Sequence, residues 1–213
     1  MKSLKQYLAE AEQRINNTRR TQVSSTGSTY EKTGRYLRDI IPPKSKIISI
    51  GAGLDHTKQS LLKGLGKNYT VHDHEPNPEN RKQPPEYTSA DQIPHNEYKV
   101  AVSHNVLNVV EPDVRDQVMK SLFDSVKSGG HIIIGVRGWT GDIKTNKNFE
   151  LGVEPKSMWV RLKNGEMSYQ KGFDGDDLKN YVEDYAQRNG YDVTVKKLKG
   201  IAKNSVHVIV NKK

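Results

Sequence analysis

The segment from Lys46 to Gly53 constrains the fold more than any other part of the chain. Ile47, Ile48 and Ile50 form a short β-branched run, which suits a buried pleated strand. Gly51-Ala52-Gly53 follows at once, and a helix-like stretch continues to about Leu65. A strand that enters a glycine turn and then a helix is the opening half of a βαβ unit, because a parallel return strand needs a crossover. Tyr69 to Asp73 supplies the return strand, after Gly64 and Gly66 stop the helix.

The alternation then recurs. Pro76 to Pro85 is a loop, Tyr98 to Ser103 a third strand, Pro112 to Val126 a helix, and His131 to Val136 a fourth strand behind a Gly129-Gly130 turn. Strands alternating with helices predict a mainly parallel sheet. Trp159–Leu162 and Met167–Gln170 flank Lys163-Asn164-Gly165-Glu166, a hairpin with an Asn-Gly turn. Asp174 opens a helix that closes near Asn189-Gly190, and the strands 192–198 and 205–210 then predict an antiparallel pair. Ahead of the first strand, Leu4, Leu8, Ala11 and Ile15 make an amphipathic stripe, 16–29 is a polar loop, and Tyr30 to Ile41 is helical until Pro42-Pro43. The expected organisation is an N-terminal helical extension and loop over 1–33 and one α/β domain over 34–213. A hairpin or lid insertion occupies 138–172.

Composition narrows the chemistry. Only 33% of the 213 residues are hydrophobic, but they cluster into elements, so one modest core is expected. No apolar run approaches the roughly 18 residues of a membrane span, and the polar start lacks a signal-peptide core; a soluble cytoplasmic protein is expected. The chain has no cysteine. Disulfides, Cys-type zinc sites, Cys-ligated iron–sulfur clusters and thiol nucleophiles are thereby excluded. Lys and Arg exceed Asp and Glu by 34 to 25, a net +9, with clusters at Lys2, Lys5, Arg14, Arg19 and Arg20 and at Lys196, Lys197, Lys199 and Lys203. Such a surplus attracts polyanions, which favours a nucleic-acid partner, although scattered lysines also serve solubility.

The glycine turn points to a ligand. Gly51 and Gly53 allow backbone N–H groups and a helix N-terminus to approach one closely. Asp73, ending the next strand about 20 residues on, suits the hydroxyls of a ribose. His56 stands where a dinucleotide fingerprint has its third glycine, so a pyrophosphate cofactor is less favoured. His72-Asp73-His74-Glu75 has metal-ligand types, but neighbouring strand residues face opposite ways, and no metal is expected.

In this succession the chain resembles the class I (Rossmann-like) S-adenosylmethionine-dependent methyltransferases. The resemblance runs through Ile48-Ser49-Ile50-Gly51-Ala52-Gly53, Val71-His72-Asp73, Ser89-Ala90-Asp91, Val102-Ser103-His104-Asn105 and Gly129-Gly130-His131-Ile132-Ile133-Ile134. It covers roughly residues 34–137, and the terminal strand pair fits the family's reversed last hairpin. It implies a Rossmann-like, doubly wound, mainly parallel sheet ending in an antiparallel pair, with S-adenosylmethionine as cofactor. On that map Gly51 and Gly53 pass under the methionine part, Asp73 holds the ribose, Asp91 approaches the adenine amino group, and Ala52 and His74 complete the cofactor set. Ser103, His104 and Asn105 face cofactor and substrate, His104 as a base and Asn105 as an acceptor from an amino group. Both also read as residues capping a strand end. Arg137 and Trp139, after the fourth strand, suit substrate contact. More faintly, Val106-Leu107-Asn108-Val109-Val110 with Glu111-Pro112 resembles methyltransferases associated with DNA phosphorothioation. The leading expectation is methyl transfer to nucleic acid, DNA first; the alternatives are a small-molecule methyltransferase and a non-catalytic nucleoside-binding protein.

Overall fold

A computed structural model describes residues 27–53, 56–76, 78, 81–140, 149–161, 165 and 167–213. The expected helix at 3–15 and most of the polar loop at 16–29 lie outside these residues. The order is α1 (Gly27–Arg38), β1 (Lys46–Ile50), α2 (His56–Leu65), β2 (Thr70–His74), a 3-10 turn (Ala90–Gln92), β3 (Tyr98–His104), α3 (Pro112–Ser125) and β4 (Val126–Arg137). It continues through β5 (Phe149–Leu151), β6 (Ser157–Arg161), β7 (Met167–Lys171), α4 (Gly175–Arg188), β8 (Val193–Leu198) and β9 (Ser205–Lys212).

One mixed sheet has the order β2-β1-β3-β4-β9-β8. The first four strands are parallel; β9 runs antiparallel to both β4 and β8. Strands covered on both faces read as near-continuous apolar runs, which explains Ile132 to Ile134 and Ile47 to Ile50, the latter broken only by the buried Ser49. The pleat divides the core in two. Ile47, Val71, Val100 and Val102 pack beneath Tyr30 and Leu37 of α1 and Leu61 and Leu65 of α2. Ile48, Ile50, Ala101 and Ile132 pack against Met119, Leu122 and Phe123 of α3 and Leu178, Val182 and Tyr185 of α4. The sheet is therefore doubly wound, as the resemblance implied.

Helix α1 runs without a break across the boundary expected at 33/34. Its attachment is a backbone crossing at Gly34 and Gly64: a Cβ on Gly34 would sit 2.4 Å from Leu61 O, and one on Gly64 2.1 Å from Glu31 O. No larger residue fits at either position without parting the helices. Helix α4 starts on a reciprocal cap, where Asp177 N–H donates to Asp174 and Asp174 N–H donates to Asp177, and it stops ahead of Gly190 at φ +73°.

Two elements differ from the sequence expectation. The fourth strand begins at Val126, five residues early, because the Gly129-Gly130 pair lies within an irregular extended start rather than a turn; the β3–β4 register shifts between Tyr98 and Val100. The insertion is a three-stranded sheet β5-β6-β7, with β5 added to the expected hairpin. Of the Asn-Gly turn only Gly165 lies within the described residues.

Candidate active site

The C-terminal ends of β1, β2 and β3 meet at the glycine turn. Gly51 and Gly53 have φ of +68° and +65°, the left-handed region that a side chain disfavours. Two bonds pin the turn to β2: Ala52 N–H donates to His74 O at 3.0 Å, and Gly53 N–H donates to the Glu75 carboxylate at 2.6 Å. The glycines have different surroundings. A Cβ on Gly51 would lie 2.5 Å from Val106 Cγ2, whereas one on Gly53 would meet nothing within 4 Å. Gly51 thus lets the loop after β3 close down, and Gly53 keeps an open backbone face beside Glu75.

Asp73 and Glu75 divide the acidic work of this edge. The Asp73 carboxylate is buried, paired with the guanidinium of Arg81, with Lys58 of α2 at 3.8 Å; its own N–H donates to Glu86 Oε2 at 3.0 Å. Burial, then the hydrogen bond with Glu86, raises its pKa, while Arg81 opposes the rise. Glu86 moves down although burial would raise it, because bonds from Asp73 and Lys58 prevail. Asp73 is thereby occupied by cations and a second carboxyl, whereas Glu75 touches the glycine turn. Sequence reasoning missed Glu75 because it ended the second strand at Asp73; the strand runs one residue further, to His74, so Glu75 is the first acid beyond it.

His74 pairs with Ile50, and Ser103 follows the last β1–β3 pair, Ser49 with Val102, so the register carries His74, Ile50 and Ser103 along one cross-strand row. Both ring nitrogens of His74 and the Ser103 hydroxyl are buried without a hydrogen-bond partner, and burial draws His74 down to about 4. Unpartnered polar groups at a strand-end row are sites where a bound molecule would restore lost bonds. His104 sits elsewhere. It lies beneath α1, its Nε2 2.9 Å from the Thr33 hydroxyl and its ring edge-on to Tyr30, 4.7 Å between centroids. Burial, aided by His207, lowers its pKa far below the ordinary value. Asn105 turns the chain at φ +59° and donates its N–H to Gly135 O at 2.8 Å. Asp91 is exposed, with its pKa lowered by the Ser89 hydroxyl.

The insertion reaches this edge from β4. Trp139 N–H donates to Phe173 O and Phe173 N–H to Arg137 O, which ties the strand end to the segment after β7. Arg137 and Trp139 are half-buried there, and burial lowers the Arg137 pKa. A buried cluster locks the insertion to α3. Arg115 of α3 donates to Leu107 O, Val110 O and both oxygens of Glu154, and the Tyr169 hydroxyl donates to the same carboxylate at 2.5 Å. Lys171 Nζ lies 3.3 Å from it. Nothing in the sequence pattern announced this cluster, whose central pair, Arg115 and Glu154, is 39 residues apart.

No protein-family model and no characterised protein matches the sequence. Solved structures do match by fold. An S-adenosylmethionine-dependent methyltransferase from Clostridium acetobutylicum aligns over 98% of this chain and 99% of its own, at TM-score 0.56 and 10% identity. The fold is the Rossmann-like methyltransferase fold. A 1,6-didemethyltoxoflavin N1-methyltransferase from Burkholderia thailandensis aligns over 100% and 90%, at 0.53 and 9%, and an Aquifex aeolicus methyltransferase over 92% and 96%, at 0.54 and 11%. Within this methyltransferase fold the structure brings Gly51–Gly53, His74, Glu75 and Ser103 together at one end of the sheet. It leaves Asp91 in solvent and His104 under a helix. Among the described residues no group of three or more His, Cys, Asp and Glu is placed to hold a metal, and no helix is long and apolar enough to cross a membrane.

Proposed function

We propose that the chain is an S-adenosylmethionine-dependent methyltransferase, acting on nucleic acid with DNA as the first candidate. The observation that carries the cofactor reading is the Glu75 carboxylate held at 2.6 Å from Gly53 N–H beside an open backbone face. A carboxylate has about four acceptor positions, which suits it to accept from ribose hydroxyls as well as from a backbone N–H. We assign the ribose contact to Glu75 rather than Asp73, because Asp73 is buried against Arg81 and Lys58 whereas Glu75 lies directly on the glycine turn. The open face at Gly53 fits the methionine part, and the buried, unpartnered Ser103 and His74 suit polar atoms of the same ligand. The cofactor supplies an activated methyl group. The chain's own work is positioning: the turn fixes one reactant, and the Arg137–Trp139 segment with the insertion orients the other and excludes water.

His104 does not act as a solvent-exchanging base in this proposal; buried and neutral, it supports the floor under α1. Methyl transfer to an already nucleophilic nitrogen needs no base near the transition state. The net charge of +9 supports a polyanionic acceptor. The second reading, a small-molecule acceptor, rests on the upper edge itself, where Lys58, Arg81, Arg115 and Lys171 are all engaged by carboxylates. Radiolabelled methyl transfer from S-adenosylmethionine to duplex DNA, RNA and a metabolite pool separates the two. Tight cofactor binding with no transfer to any of them would favour a non-catalytic binding protein.

A further inference from the structure

The opposite edge of the sheet carries a cationic surface that the glycine-turn site does not use. A cleft of about 480 Å³ lies where β1, β3 and β4 begin, and its charged lining is Lys44, Lys46, Lys99 and Lys127 against a single acid, Glu97. Lys46 is bonded to Glu97 at 2.6 Å, so those two cancel. Lys99 bonds the neutral carbonyl of Gly129 and keeps its charge uncompensated. Lys44 and Lys127 are exposed and have no ion pair among the described residues. Three net positive charges therefore converge on one cleft. Lys44 is also fixed in place: its φ is +67° and its N–H donates to Asn68 O at 2.7 Å, which brings Lys67 alongside.

We infer that this lower edge is a docking surface for the phosphate backbone of duplex nucleic acid. The geometry is a row rather than a point. From Lys44 ahead of β1 to Lys127 of β4 it spans two strand spacings, about 9.5 Å. That length covers about three nucleotide steps of one strand at about 3.4 Å each. The residue types select the partner. Lysine is depleted at protein–protein interfaces, which favour aromatic residues and arginine, and none of those lines the cleft. Lysine reads phosphate as a point charge without base specificity. The lack of an aromatic lining also removes the stacking platform on which single strands depend, leaving a paired backbone as the better match. The surface lies at the far end of the strands from the glycine turn, so it holds a polyanion while the upper edge stays free, whatever that edge methylates.

The test is fluorescence anisotropy with a 20-base-pair DNA duplex, an RNA duplex of the same length and tripolyphosphate, between 50 and 200 mM KCl. Three phosphates neutralised give a slope of log K against log salt of about −2.7, or about a 40-fold loss of affinity over that range. Lys44→Gln combined with Lys127→Gln should cut the slope to about −0.9, a loss of only about 4-fold. Both side chains are exposed, so an unchanged thermal melt certifies the fold. Glu75→Gln should leave duplex binding intact, which separates this surface from the upper site. DNA and RNA duplexes bound alike support a backbone contact. An unaltered slope in the double variant, no duplex binding by the parent chain, or binding of tripolyphosphate alone would each overturn the inference.

Discussion

Replacing Glu75 by Gln and, separately, Asp73 by Asn tests which acid serves the ligand and which serves the fold. Glu75→Gln keeps an acceptor for Gly53 N–H but removes the charge from the proposed bonds to the ribose hydroxyls. Charge-assisted hydrogen bonds contribute about 1.5–3 kcal/mol, so S-adenosylmethionine affinity should fall about 10- to 150-fold. Asp73→Asn acts on a different partner. Arg81, with its side chain 3% exposed, would lose its buried counter-ion. Breaking a buried pair in this way costs about 3–5 kcal/mol. For a chain of this length that lowers Tm by roughly 6–20 °C. Titration calorimetry and differential scanning calorimetry on both variants give the cross-comparison: affinity lost without stability for Glu75, stability lost without affinity for Asp73. The opposite pattern, with Asp73→Asn abolishing cofactor binding in a fully stable protein, would refute the assignment.

Gly64→Ala should destabilise the protein by about 1–3 kcal/mol or more through overpacking, although alanine is the better helix former, because the new Cβ meets backbone rather than a movable side chain; chemical denaturation measures it. His74 and His207 are both drawn to about 4 by burial, below the ordinary value near 6.5. The unfolded chain therefore takes up protons first on acidification, and stability is full above about pH 6.5 and lost as pH falls toward 4, by on the order of 3 kcal/mol for each histidine. A denaturation series across that window checks it, and a flat profile would contradict the buried neutral rings. Glu154→Gln should loosen the insertion, since Arg115 is left buried beside a neutral amide; the expected sign is a lower Tm together with altered fluorescence of Trp159, which packs on Tyr169 at 5.2 Å.

The parallel strands could be read from the chain because burial on both faces forces a signal: Ile132 to Ile134 has no polar partner to alternate with, and Ile47 to Ile50 is broken only by the small, buried Ser49. The antiparallel finish was equally plain, since β8 and β9 are short and separated only by a turn containing Gly200. What escaped was set by distance in the sequence. β5 is three residues long with all three exposed, so it carries no burial pattern to detect. The early start of β4 follows from pairing with β3, a tertiary fact that two glycines disguise as a turn. The Arg115–Glu154 pair joins a helix to an insertion, and neither residue type is distinctive where it stands.

The site shows why a one-residue error at a strand end matters more than one in its middle. Asp73 and Glu75 are two residues apart, so the pleat alone would place them on the same face. The strand's end is what separates them. Asp73 is still within β2, where its side chain lies under α2 and meets Lys58 and Arg81; Glu75 is past the last paired residue, where the chain bends and its carboxylate swings onto Gly53. Tyr87 completes the arrangement, for its O accepts from Glu75 N–H at 3.1 Å and its N–H donates to Asp73 O at 3.2 Å, holding the bend between the acids. The acid that the glycine-turn pattern picks out, Asp73, is an ion-paired residue in this chain. We propose the hydroxyl contact for Glu75, which is distinguished from Asp73 only by where pairing stops.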